Sequence, residues 1–308
     1  DALEGGLELT ADEQRLQDAD ALFICVPSPL NQHRAPDMSF IEAASATVAR
    51  VARPGMLVSL ESTTCPGITE EIVAAAAAEH LTLDEEVFVA FSPERVDPGS
   101  GRDLASIPKV VGGVSEESGK VAAAAYRRLV DEVHVVSTAR AAEMTKLLEN
   151  TYRSVNIGFI NEMAQLAHEL DINIWEVVDA AATKPFGFQA FYPGPGVGGH
   201  CVPLDPQYLA WRAKATGFPT RFIDLAEDVN LRMPTYTAGR IADLLNEQGL
   251  PVFGTKLLAV GIAFKPNVSD DRESPSLDVL DELRRRGAEI NVWDPVVGAG
   301  RIESHGYA

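Results

Sequence analysis

"MLVSLESTTCPGITEEIVAAAAAEHL", residues 56–81, is the stretch on which the reading of the fold turns. Residues 56–61 form a short, largely apolar run, the pattern of a strand covered on both faces. "ESTTCPG" (61–67) ends in Pro66 and Gly67, which break regular structure and mark a loop. "TEEIVAAAAAEHL" (69–81) then reads as a helix. Outward from it the same unit repeats. Strands are predicted at "ALFICV" (21–26), "VFVAFS" (87–92), "KVVGG" (109–113) and "VHVVS" (133–137), and helices at "SFIEAASATVARVA" (39–52) and "SGKVAAAAYRRLV" (118–130). Apolar strands alternating with amphipathic helices predict an α/β domain with a parallel, Rossmann-like sheet covered on both faces. Ligands of such sheets bind beyond the carboxyl ends of the strands. The loops there are "VPSPLN", "ESTTCPG" and "SPERVDPGSG".

From Ala139 the pattern changes. "ARAAEMTKLLENTYRSVNIGFINEMAQLAHEL" has no Pro and a single Gly, and Met144, Leu148, Val155, Phe159, Met163, Leu166 and Leu170 fall at helical spacing. Thr138 is placed to cap this helix. "DINIWEVVDAAA" (171–182) and segments around 206–216 and 220–247 are also helical, with Pro234 expected to kink or divide the last and Gly249 to stop it. A second α/β pattern follows: strand "KLLAVGIAF" (256–264), loop "KPNVSDDRE", Ser274–Pro275 as cap and first helical position, helix "SLDVLDELRRRG", strand "AEINVWDP".

The 308 residues are 46% hydrophobic and 7% aromatic, enough for two or three globular domains. A net charge of −19 counts against nucleic acid or an anionic membrane as partner. No apolar run approaches the ~20 residues that cross a bilayer, and no signal peptide is visible. Three cysteines without paired or zinc-ligand spacing predict no metal and fit a reducing cytoplasm.

Among these, Cys201 stands out. It lies in "FYPGPGVGGHCVPLDP" (191–206), with glycines at 194, 196, 198 and 199 that let a ligand approach the backbone. Cys25 and Cys65 read as packing residues. Cys201 reads either as another or as a nucleophile presented by a shaped loop. Lys146 and Asn150 are one helical turn apart on one face, with Asn161 near the same stripe; such a pair is either a surface feature or an oxyanion-stabilising one. Thr63, Glu94, Lys265 and Asp205 are further polar candidates, each weak by itself.

Taken in order, "ADALFICVPSPL", "LVSLESTTCPGITEE", "FSPERVDPGSG", "EMTKLLENTYRSVNIGFINEMA", "FGFQAFYPGPGVGGHCVPLDP" and "GIAFKPNVSDDRESP" resemble the UDP-glucose/GDP-mannose dehydrogenase family over essentially the whole chain. The resemblance implies NAD-dependent, four-electron oxidation of the C6 hydroxyl of a UDP-sugar to the uronic acid. Cys201 would be the nucleophile, passing through a thiohemiacetal and a thioester. Lys146 and Asn150 would hold the oxyanion. Glu94, with Thr63 beside it, would act on water and protons, and Asp205 would support Cys201. Tyr192, Gly198, Arg221, Lys265 and Arg272 would contact substrate, Arg221 across a homodimer built on the central helices. Pro27, Thr63 and Glu94 would remain on the cofactor side. "RVDPGSG" after Glu94 and the stretch before Cys201 look like the acetamido-sugar branch, which makes UDP-N-acetylglucosamine the expected substrate and UDP-N-acetylmannosamine or UDP-glucose the alternatives.

The resemblance also implies three domains: 1–138, the remainder of an NAD-binding domain; 139–250, helical and dimerising; and 251–308, the opening of a UDP-binding Rossmann-like domain. No glycine fingerprint follows a strand at the head of the chain. The chain therefore reads as an internal piece of a longer enzyme, and residues 1–308 alone are expected to be inactive or nearly so. Two competing readings are a two-electron β-hydroxyacid dehydrogenase, which needs no loop thiol, and a non-catalytic sugar-nucleotide-binding module, which needs no nucleophile.

Overall fold

The computed structural model describes residues 6–31, 34–97, 99 and 101–307. The chain divides into two compact units, Asp1–Leu148 and Glu149–Ala308.

The first unit is built on five strands: β1 (Ala21–Ile24), β2 (Met56–Leu60), β3 (Val87–Phe91), β4 (Lys109–Gly113) and β5 (Val133–Val136). They lie side by side in chain order. All five residues of β2 are buried, as the apolar run predicts for a strand covered on both faces. Leu57, Ala90, Val111, Ala122 and Tyr126 form one cluster of its core. α1 (Ser39–Val51) and α3 (Glu116–Tyr126) flank the sheet in sequence. The helix expected over 69–81 is shorter: a π-helical turn, Thr69–Ala74, runs into α2 (Ala75–Ala77).

One pairing departs from a uniformly parallel sheet. β1, β2 and β3 are parallel and β4 is parallel to β5, but β3 and β4 are antiparallel. A parallel return needs a long crossover, usually a helix. The link between β3 and β4 carries prolines and glycines and, among its described residues, only a short 3₁₀ turn, Leu104–Ser106, so the chain doubles back instead.

α4 (Ala139–Glu169) begins in the first unit and continues into the second. Thr138 Oγ1 accepts from the Ala141 N–H at 3.1 Å, the expected cap. The second unit also holds α5 (Ile174–Ala182), α6 (Asp205–Ala215), α7 (Arg221–Glu247), β6 (Lys256–Val260), α8 (Pro275–Arg285), β7 (Glu289–Trp293) and α9 (Ala299–Ser304), with β6 and β7 parallel. Pro234 does not divide α7; Met233 and Pro234 are both buried, and that packing outweighs the lost N–H. Gly249, at φ +72°, lies just past the end of α7 and stops it. A Cβ at Gly158 would stand 3.0 Å from the Ala226 Cα, so α4 and α7 approach closely there. The apolar stripe of α4 is turned outward at Met144, Leu148, Phe159 and Leu166, and so is Leu170 just past its end, whereas Asn150, Ser154, Gly158 and Asn161 are buried. No helix among the described residues is long and apolar enough to cross a membrane.

Candidate active site

In the first unit the polar candidates gather where β1, β2 and β3 end. Ser62 is buried and braces the loop after β1: its Oγ accepts from the Val26 N–H at 2.7 Å and lies 2.8 Å from the Val26 carbonyl, to which it donates. Pro27 follows directly, exposed, and Thr63 is half-buried beside Ser62. The far side of the Thr63 loop is tied to α4. Glu143, fully buried, accepts from the Gly67 N–H at 2.5 Å, the Thr69 N–H at 2.9 Å and Thr69 Oγ1 at 2.7 Å. Burial pushes the Glu143 carboxyl up against the pull of these donors.

Glu94 is exposed and clamped. The Lys146 ammonium donates to its carbonyl at 2.6 Å, the Val96 N–H donates to Oε1 at 2.6 Å, and the Lys109 ammonium reaches Oε2 at 3.2 Å. Partial burial works to raise the Glu94 carboxyl, but the Lys109 charge and the Val96 N–H outweigh it and hold it below the usual carboxylate range. Lys109 also pairs with Glu61 Oε2 at 3.0 Å, and Tyr126 donates to Glu61 Oε1 at 2.7 Å. Cys25 does not pack inside as expected: it sits exposed just past β1, where partial burial and the Glu61 charge push its thiol up. It misses the interior because β1 alternates: Leu22 and Ile24 point inward, and Cys25 falls on the exposed side with Phe23. Cys65 is fully buried.

In the second unit the glycine-rich loop is anchored at both ends. The Gly194 N–H donates to Asn161 Oδ1 at 3.0 Å, Asn161 donates to Asn230 Oδ1 at 3.0 Å, and Asn230 donates to the Ser154 carbonyl at 3.2 Å. Tyr192 stacks on Trp175 and donates to Asp179 at 2.8 Å. Side chains are excluded at the tip. A Cβ on Gly198 would lie 2.5 Å from the Phe264 Cβ and 2.9 Å from the Glu273 carbonyl, and one on Gly199 would lie 2.8 Å from the Phe264 ring. The loop is thus pressed against the segment that carries Lys265 and Arg272. Cys201 emerges exposed, and its carbonyl accepts from the Asp205 N–H at 2.9 Å, opening α6. Behind it Asp205, buried, accepts from the Asn150 amide at 2.5 Å. Arg272 is paired with Asp270, at 2.8 and 2.6 Å. Arg221 is exposed as the first residue of α7.

Known proteins match this chain along nearly its whole length. Three family models match in order: the NAD binding domain at residues 1–130, the central domain at 140–232 and the UDP binding domain at 258–307, all of the UDP-glucose/GDP-mannose dehydrogenase family. The chain belongs to this family. UDP-N-acetyl-D-mannosamine dehydrogenase of Pyrococcus horikoshii is 38% identical over 297 residues, 95% of this chain and 69% of that protein. UDP-N-acetyl-D-glucosamine 6-dehydrogenase of Pseudomonas aeruginosa is 33% identical over 297 residues, 95% and 70% of the two chains. The solved structure of the Pyrococcus horikoshii UDP-D-ManNAc dehydrogenase superposes with a TM-score of 0.88 at 35% identity, covering 96% of this chain and 70% of that one.

The chain is thus one of the NAD-dependent nucleotide-sugar dehydrogenases, and the Rossmann-like reading of its first unit stands. Pro27, Thr63 and Glu94 lie past the carboxyl ends of β1, β2 and β3, the side on which such sheets take ligands; Ser62 and Glu143 brace the first two loops, and Lys109 and Lys146 hold the third. Within the first unit the structure brings Glu94 and Lys146 together; within the second it brings Asn150, Asp205 and Cys201 into one cluster. Sequence reasoning missed Glu61, Lys109, Tyr126, Glu143 and Asn230. Each is ordinary in its own element, and only its partners, far along the chain, mark it out.

Proposed function

We propose that the full-length enzyme to which this chain belongs oxidises the C6 hydroxyl of a UDP-linked 2-acetamido sugar to the carboxylate in two steps, with Cys201 as the nucleophile. The observation that carries this is the presentation of Cys201: an exposed thiol on a loop with no room for side chains at Gly198 and Gly199, with the Asn150–Asp205 pair behind it. NAD, when bound, supplies the hydride acceptor for each oxidation. After the first, the Cys201 thiolate adds to the C6 aldehyde and makes a thiohemiacetal, whose oxyanion Lys146 and Asn150 stabilise as hydrogen-bond donors. After the second, the resulting thioester is opened by water, activated by Glu94 with Thr63 beside it. Asp205 orients the Cys201 turn, and Tyr192, Gly198, Lys265 and Arg272 receive the nucleotide sugar. A β-hydroxyacid dehydrogenase would have no use for the thiol.

The acetamido assignment rests on the stretches after Glu94 and before Cys201 and on the relatives named for UDP-N-acetylmannosamine and UDP-N-acetylglucosamine. UDP-N-acetylglucosamine is the first substrate to try. A site that hydrogen-bonds an acetamido group rejects a hydroxyl sugar, because its buried polar partners are left unpaired. In this reading residues 1–138 hold NAD, 139–250 form the helical dimer and 251–308 begin the UDP-binding domain. The outward stripe of Leu148, Phe159, Leu166 and Leu170, together with exposed Phe222 next to Arg221, supports a homodimer through the central helices.

The test is Cys201→Ser. Serine is a far poorer nucleophile at neutral pH, so the variant should complete the first oxidation and stall before the second. NADH counted per sugar, with mass spectrometry of trapped species, reads this out. Two NADH per sugar at the native rate would remove Cys201 from the reaction.

A further inference from the structure

Glu94 and Lys109 meet because of the one antiparallel pairing in the first sheet. The β3–β4 register sets Ala90 against Gly113 and Phe91 against Gly112. Carried past the end of β3, the same register sets Glu94 opposite Lys109, and the side chains close the pair at 3.2 Å. Lys109 is not a surface lysine: only 12% of its side chain is exposed. A cation this buried needs counter-charges. It has two, Glu61 at 3.0 Å and Glu94, and it lies over the Tyr126 ring at 5.4 Å. Glu61 is locked in place by the phenol of Tyr126, itself almost fully buried. Glu94, half-exposed, is the partner left free to face solvent and reactants.

We propose that Lys109 is a positioning residue of the reaction: its ammonium, closed on Oε2, aims the Glu94 carboxylate to take a proton from the water that opens the thioester. The inference rests on the reading of Glu94 as that base. In the step concerned, one water proton passes to Glu94 and the water oxygen bonds to the thioester carbon. The C–S bond breaks, and its electron pair leaves on Cys201 as thiolate. A protonated Glu94 could not accept that proton. The groups that face Glu94 all bear on this. From β4 Lys109 supplies positive charge, and from α4 Lys146 donates to the Glu94 carbonyl. From the end of β2 Glu61 supplies negative charge, and past β1 stands the Cys25 thiol. The neighbouring Arg95 turns its guanidinium to the Pro108 carbonyl at 2.7 Å. With Oε1 taken by the Val96 N–H, Lys109 is the cation that meets the other oxygen.

The experiment follows the Glu94 carboxyl by ¹³C NMR through pH in the full-length wild-type enzyme and in its Lys109→Met, Lys109→Arg and Glu61→Gln variants. Acid release against pH is measured beside it in the same proteins and in Glu94→Gln. Lys109→Met should move the Glu94 midpoint up, together with the acid limb of the release step. Lys109→Arg should restore both. Glu61→Gln should move the midpoint down, because it removes a competing anion, and a merely structural lysine would not give this opposite sign. A midpoint unmoved in Lys109→Met overturns the proposal, and should that variant fail to fold, an unmoved midpoint in Glu61→Gln does so. If the midpoints move as stated but Glu94→Gln releases acid at the native rate, Glu94 is not the base and Lys109 loses its part in the reaction. Unmoved midpoints with release lost in Glu94→Gln sink Lys109 alone.

Discussion

Glu94 is held by charge and hydrogen bonds, Cys201 by shape. Around Glu94 stand two lysines, a second carboxylate and a buried phenol. Around Cys201 stand backbone contacts at Gly198 and Gly199, a relay of neutral amides from Gly194 to Ser154 and one amide–carboxylate bond. The first arrangement can be tuned by pH and by a single counter-charge. The second tolerates a change of charge better than a change of volume, since a glycine against backbone has nowhere to yield. In the proposed reaction the former suits Glu94 as the group that takes a proton, and the latter suits Cys201 as the nucleophile that must be placed.

The contrast breaks most severely at the loop. Gly198→Val should drive its side chain into Phe264, Pro275 and the Glu273 carbonyl and displace Cys201. A misplacement of about 1 Å costs on the order of 100-fold in rate, so kcat should fall by that much while circular dichroism still reports a folded protein. A Gly198→Val enzyme of native kcat would show that the loop is not shape-limited. A smaller effect is expected behind the thiol. Asn150→Leu removes the amide that donates to buried Asp205 and should cost about 1–3 kcal/mol of stability, read from the urea midpoint; no change there would mean that the pair contributes nothing net.

The smallest effect sharpens the other half of the comparison. Glu143 braces the Thr63 loop as a buried carboxyl whose pKa burial raises. The native state therefore binds the Glu143 proton more readily than the unfolded state. Stability from this group is fully present below the ordinary carboxylate value and is lost as pH rises through the raised one. Glu143→Gln has no such proton. The stability advantage of the wild type over the variant should be largest near pH 4 and shrink on the way to neutrality, measured by denaturation across that range. An advantage that grows with pH would mean that the three donors, not burial, dominate this carboxyl.

Much of this was legible beforehand, and for a local reason. "MLVSLE" is apolar enough to make a central strand wherever it stands, Thr138 can cap the helix that follows it, and Gly249 can stop one, because each depends on a few neighbouring residues. The irregular loop that exposes Cys201 was legible because four glycines within eight residues cannot make regular structure. Other expectations failed where distant packing intervened. Pro234 passes through α7 undivided, since its surroundings bury it. The stripe from Met144 to Leu170 keeps its helical spacing, yet five of its large residues face outward, because the small and amide side chains of α4 are the ones that fit against α7 at Gly158 and Asn161.

The sequence by itself determined the elements, their order and the loop that carries the thiol, since those follow from short-range pattern and backbone sterics. Only the tertiary structure decided which way β4 runs. In a parallel return Lys109 would sit at the opposite end of the sheet from Glu94. In the antiparallel one it lies against a carboxylate fifteen residues earlier in the chain. The direction of a strand is settled by the link before it and by the neighbours it bonds to, and neither is written in the five residues of the strand.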